Sequence, residues 1–337
     1  MDSYSPRQLC ALLWASLAAP LVTVCSAVSW PWVLLGAGGA AVVLAVMGIP
    51  AARCPEGEGA AALLRLAWGN RAARLAGCAS WLWLALAAAL AASMAVTAFP
   101  RDNAFPAIPL VLLALGTLPA AKGPAAACRF GATLFLAVAP MIALVLVFGA
   151  ADVRLAHLSP GGAAGDAAAP MAVLLLPAAG FFLRDRLGGR GTPWIRWFLL
   201  AGLLAAAVSV VCVGALGGTL AKTASNAFWY MSQSISVFGV MERFEAVISA
   251  LLAISFCCLL AFLVSAGQKA LCCAAPAAGE GVAAWGTAAL AAVLLRVVPL
   301  LPDWVWFVGN LLFWGLLPAV TLWVVEMKNS EKKRKKC

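Results

Sequence analysis

Charge is scarce in this chain, and the residues that run enzyme chemistry are scarcer still. Charged side chains make up 11% of the 337 residues, against roughly a quarter in soluble domains, which excludes an ordinary water-soluble fold. The single histidine, His157, sits in DVRLAHLSP with no nucleophile or ligand partner beside it, and reads as an ordinary loop residue. No Gly-rich phosphate cradle with a Walker lysine is present, which argues against an ATP-driven pump within the chain. The eleven cysteines form no CxxC pair and no Cys/His ligand set, so they read as small apolar residues. No catalytic residue, metal site or cofactor is therefore expected.

What the chain has instead is apolar length. Hydrophobic residues are 64% of it and the mean hydropathy is +0.99. A helix rising 1.5 Å per residue needs about 20 apolar residues to cross a hydrocarbon core of about 30 Å. Stretches of that kind fall at 9–28, 30–49, 73–98, 104–121, 127–149, 168–184, 194–216, 241–266, 282–301 and 304–325. The expected fold is an all-α polytopic membrane protein of about ten transmembrane helices, organised as one membrane domain over 1–327 with a basic cytoplasmic tail over 328–337. The apolar region of the first span is longer than that of a cleaved signal peptide, so this span is expected to be retained.

The net charge of +10 raises the question of nucleic acid, and position answers it. With the N-terminus inside, eighteen of the 23 basic residues fall on inner segments, including Arg65, Arg71, Arg74, Lys269 and the tail's lysines. That asymmetry is the positive-inside signature; it places both termini in the cytoplasm and points to membrane lipids, not nucleic acid. The tail EKKRKKC fits anionic headgroups or a simple topology anchor. Tryptophans near predicted helix ends, among them Trp30, Trp32, Trp229, Trp304 and Trp306, read as headgroup-level anchors. In the inner loop, Leu63, Leu64 and Trp68 are spaced for a short surface helix.

Two spans carry interruptions. The first reads LLWASLAAPLVTVCSAV around Pro20, the sixth APMAVLLLPAAGFFL around Pro177 and Gly180. Proline removes a backbone donor and clashes with the preceding turn, so each helix is expected to kink or break. Interruptions at matching places of two five-helix halves point to a midplane site in inverted-repeat transporters. Coincidence of two common proline kinks is the plainer reading.

A third feature is SVFGVMERFEAVISALLAI, residues 236–254, where three charges open a long apolar run. On a helix Glu242, Glu245 and Ser249 form one polar stripe, with Arg243 about 100° round. Ionisable groups at membrane depth are expensive and normally face a partner or an aqueous cavity. Both an interfacial position and an ion relay or gate fit this pattern. The stretch before it, KTASNAFWYMSQSISVFGV, is too polar to span and too apolar for a free loop, so it is expected to form an outer helix over the pore mouth.

The run FWYMSQSISVFGVMERFEAVISALLAISFCCLLAFLVSAGQKAL resembles the bacterial spore germination permeases, the B subunits of nutrient germinant receptors. The N-terminal SPRQL and the outer-loop DVRLAHLSP agree with that resemblance. It implies membership of the amino acid, polyamine and organocation (APC) transporter superfamily, with a 5+5 inverted-repeat bundle and broken helices 1 and 6. It further implies a small nutrient ligand, often an amino acid, beside Pro20, Leu21, Thr23, Pro177 and Gly180. Glu242, Arg243, Glu245 and Ser249 would then serve gating or ion relay. The implied partners are a larger membrane subunit and a lipoprotein, in the bacterial cell membrane or the spore inner membrane. The chain departs from the superfamily in having no glycine at Pro20 and no acid in PAAG. A proton- or sodium-coupled amino acid secondary transporter and a non-transporting membrane scaffold are the competing functions.

Overall fold

The structure is a computed structural model that describes residues 4–53, 59–99, 107–158, 161–186, 194–224, 226–234 and 244–334. Among these residues every regular element is helical: α1 Pro6–Cys25, α2 Trp30–Arg53, α3 Ala60–Met94, α4 Ile108–Ala121, α5 Pro124–Gly149, α6 Ala168–Leu175, α7 Trp194–Leu216, α8 Gly218–Thr223, α9 Ala227–Ser234, α10 Phe244–Ala274, α11 Glu280–Leu294, α12 Asp303–Asn310 and α13 Leu317–Arg334. Among the described residues, eight segments are long and apolar enough to cross a membrane. The shorter apolar helices α4 and α11, of 14 and 15 residues, fall where the fourth and ninth spans are expected. The chain is thus a polytopic helical membrane protein.

The N-terminal motif has a local cause. Ser5 caps α1: its hydroxyl accepts from the Gln8 N–H at 3.2 Å, and the Gln8 side chain accepts from the Ser5 N–H at 3.0 Å. With Pro6 in the first helical turn, SPRQL is a capping box that starts the first span.

α10 runs through the middle of the bundle, against α1, α3, α4, α5 and α11. Small residues let it be approached closely, as packing in lipid demands when no hydrophobic drive holds helices together. A Cβ on Gly116 of α4 would stand 2.7 Å from Leu260 Cβ, 3.0 Å from the Cys257 carbonyl oxygen and 3.1 Å from the Ala261 nitrogen. Two of those neighbours are backbone and cannot swing aside. Replacing Gly116 by Val is therefore expected to force α4 off α10 and lower stability by roughly 1–3 kcal/mol, measured as a fall in melting temperature of the detergent-purified protein.

α3 bends at Gly69, whose φ of 81° lies in the left-handed region that favours glycine. The bend divides a short leading helix from the span proper. Its Leu63 and Leu64 are fully buried in protein, so it docks on the bundle and does not lie free on the membrane surface. Three bonds hold it to α13. The Trp68 indole donates to Thr321 Oγ1 at 3.1 Å, and Lys328 Nζ donates to the Leu66 and Ala67 carbonyls at 2.9 Å each. A cation on the last carbonyls of a helical segment is favourable. Lys328 thus belongs to a helix that continues to Arg334, and the basic tail opens as structure.

The last span widens for a reason the sequence contains. Pro318 cannot donate to Trp314, and over Leu311–Leu316 the helix shifts to π geometry, with the Leu317 N–H reaching the Leu312 carbonyl.

Candidate functional site

The first helix does not break. α1 is helical from Pro6 to Cys25, straight through Pro20, and the reason lies on another helix. Ser255 of α10 accepts a hydrogen bond from the Ala19 N–H at 2.8 Å and donates to the Ala15 carbonyl at 2.5 Å. Ala19 to Ala15 is the i to i−4 pair that would ordinarily bond directly. A hydroxyl inserted into that ladder satisfies both groups and accommodates the strain one residue before the proline ring. Pro20 and Leu21 are buried, as are the neighbouring Ala18 and Ala19. Thr23, one turn further, is partly buried, and its Oγ1 is enclosed with no hydrogen-bond partner.

The sixth segment does change at its proline. Pro177 has no N–H for the Val173 carbonyl. The Leu176 N–H takes that carbonyl instead, in an i to i−3 bond, and the chain continues as 3₁₀ helix from Leu176 to Arg186. This shift releases the Ala172 carbonyl, which Leu176 would have bonded in an α-helix. Asn310 at the end of α12 supplies the replacement, with Nδ2 donating to Ala172 O at 3.5 Å. Its Oδ1 accepts from the Trp83 indole at 3.2 Å. Trp83 is stacked on Phe313, with ring centroids 5.5 Å apart, and tilted against Trp306 at 5.7 Å. Pro177 and Gly180 are buried.

α1 and α6 pack on each other, and α10 touches both α1 and the 3₁₀ segment. Pro20 and Pro177 therefore lie on helices that meet inside the bundle. The backbone groups disturbed at each proline are bonded by side chains of the chain itself, a hydroxyl at the first and an amide at the second.

The charged trio falls largely elsewhere. Glu242 and Arg243 lie outside the described residues, and of Glu245 only the backbone, in the first turn of α10, is described. Ser249 is buried, and its hydroxyl accepts from the Trp229 indole at 3.0 Å. That bond ties Ser249 to α9. The stretch expected to form a helix before the eighth span does so as α9, packed on α1, α5, α7 and α10, with Phe228 and Met231 fully buried. Asn226 caps it through the Trp229 N–H and also donates to the Thr97 carbonyl at 3.4 Å. Trp229 and Trp306 are buried, so neither is the headgroup anchor expected of it.

His157 has a structural task. Its Nδ1 lies 3.0 Å from the Gly214 carbonyl, which can only accept, so that nitrogen carries the proton. The Arg154 N–H donates to the same oxygen at 3.0 Å, and the Trp30 indole donates to the Leu158 carbonyl at 3.2 Å. Residues 154–158 thereby fasten α2 to the end of α7.

Ser255, Asn310 and Trp83 are the residues that sequence reasoning missed. Their signal was a serine in the middle of the most apolar span and an asparagine near the start of the last. Against known protein families and curated proteins, the chain matches no family model and no curated protein.

Proposed function

We propose that this protein is a membrane subunit of the spore germination permease kind, binding a small nutrient such as an amino acid and passing its occupancy to partner subunits. In this reading ten spans form a 5+5 inverted-repeat bundle with both termini cytoplasmic, and the ligand lies between α1, α6 and α10. A larger membrane subunit and a lipoprotein receive the signal.

The observation that carries the reading is the Ser255 bridge. One hydroxyl from α10 occupies both a donor and an acceptor of α1 beside Pro20, with the open Thr23 hydroxyl one turn away. An amino or hydroxyl group of a ligand offers the same chemistry. Exchange of the ligand for Ser255 would release α10 from α1, turning occupancy into a helix displacement, and a population shift needs only that differential contact. Breaks bonded from within suit a receptor with two packings. A gradient-driven transporter uses the same bundle and is separated by function.

The test is a thermal-shift screen of the purified full chain against amino acids, sugars and nucleosides. A ligand at a hundredfold excess over its Kd stabilises by about 2.7 kcal/mol. One nutrient class is expected to raise the melting temperature, with the rise reduced in Thr23→Val. No shift with any compound would overturn nutrient binding. Gradient-dependent uptake by reconstituted vesicles would replace the receptor reading with the transporter. Glu242→Gln together with Glu245→Gln is expected to abolish signalling, and an intact response would remove the relay role.

A further inference from the structure

The inner part of α10 carries polar groups that the bundle leaves open. Gln268 and Ser265 are both fully buried, and Gln268 Oε1, Gln268 Nε2 and Ser265 Oγ have no hydrogen-bond partner. Several buried hydroxyls of this protein fold back on their own helix. Ser16 donates to Leu12 O, Thr117 to Leu113 O, Thr287 to Ala283 O and Thr321 to Leu317 O, at 2.6 to 2.8 Å. Ser265 does not, so its hydroxyl is turned from its own backbone.

The surroundings of these groups can be placed. Gly116 of α4 lies against Cys257, Leu260 and Ala261 of α10, while the Ala121 carbonyl near the end of α4 lies 3.6 Å from where a Cβ on Gly281 would stand, at the start of α11. α4 therefore runs parallel to α10. At 100° per residue, Cys257, Ala261, Ser265 and Gln268 share roughly one quarter of the α10 circumference, so the stripe that meets Gly116 continues to Gln268. Beyond Gly116, α4 ends at Ala121; the Ala120 carbonyl accepts from the Gly123 N–H at 2.9 Å, and the other carbonyls of the last turn have no intrahelical donor. Gly77 of α3 approaches Ala270, Cys273 and Ala274, on the far side of α10. The neighbouring charge, Lys269, is paired with Glu280 at 3.1 Å.

We propose that Gln268 and Ser265 hold internal water that bridges α10 to the carboxyl end of α4, forming a hydrated site at the inner end of the bundle. The site is distinct from the α1 bridge: thirteen residues separate Gln268 from Ser255, about 20 Å along the helix at 1.5 Å each. The chemistry selects the guest. A carboxamide and a hydroxyl offer donors and acceptors without net charge, which suits water with its two to four partners and gives an ion no counter-charge.

The test uses the full chain in nanodiscs, with ¹⁵N introduced only in glutamine. The sequence holds three glutamines, Gln8, Gln233 and Gln268, and the Gln268 side-chain signal is assigned by its loss in Gln268→Leu. A cross-peak between that amide and water at a time too short for bulk exchange is the expected result. An assigned amide with no water contact overturns the proposal. Melting gives a second reading. Gln268→Leu and Ser265→Ala are each expected to lower the melting temperature, by about 2–4 °C for the first. The double variant should equal Gln268→Leu alone, because the two share one guest. A rise in Gln268→Leu is what an amide in a dry environment would give, and it too overturns the proposal.

Discussion

Ser255→Val is expected to remove most of the folded protein, while Ser255→Thr leaves it nearly intact. Valine keeps the bulk that parts the α1 ladder and removes the only atom that bonds both sides of the gap. The Ala19 N–H and the Ala15 carbonyl, each now bonded to Ser255, would be stranded. A buried group without its partner costs about 1–3 kcal/mol, so two cost roughly 2–6 kcal/mol, a large share of the 5–15 kcal/mol that holds a domain. In lipid no water enters to relieve the loss. Ser255→Ala differs in kind, because its smaller side chain lets the Ala19 N–H return to Ala15, and a loss of about 1 kcal/mol is expected. Combining it with Pro20→Ala should restore an uninterrupted ladder and recover that loss. Monodisperse yield after detergent extraction and melting temperature report the series. If valine proved no worse than alanine, the bridge would contribute nothing.

The membrane class and the order of apolar segments were legible because they depend on composition and on runs of about 20 residues, which are local. Pro177 was legible for the same reason, since the missing N–H changes its own helix whatever packs beside it. Pro20 shows the limit. Its local chemistry is that of Pro177, yet α1 stays helical because Ser255, 236 residues later than Ala19, fills the gap. No spacing rule connects the two. SPRQL was read as part of a resemblance, and the structure gives it a sufficient local cause in the capping box around Ser5 and Gln8. Leu63 and Leu64 carried the right helix and the wrong surroundings: an apolar face meets lipid or protein equally well, and the bonds of Trp68 to Thr321 and of Lys328 to Leu66 and Ala67 decide for protein. Ser249 was assigned to an acidic stripe by helical periodicity alone. Its hydroxyl belongs to Trp229, on the helix that precedes it.

The second large effect is expected at Asn310. Asn310→Leu strands two groups at once, the Trp83 indole N–H and the Ala172 carbonyl that the 3₁₀ shift at Pro177 released. The loss should again be roughly 2–6 kcal/mol. Asn310→Asp keeps the acceptor for Trp83, loses the donor for Ala172 and buries a carboxylate, so it should fare no better. The informative partner is Trp83→Phe, which removes the indole donor while keeping a ring to stack on Phe313. In that background Asn310→Leu strands one group, not two, and should therefore cost less than it does in the unmodified chain. The coupling between the two changes is expected at roughly 0.5–3 kcal/mol, the range for residues in one hydrogen-bond network. A cycle of four melting curves measures it. Strict additivity would mean that the Trp83–Asn310 bond contributes nothing and that ring packing alone holds α3 to α12.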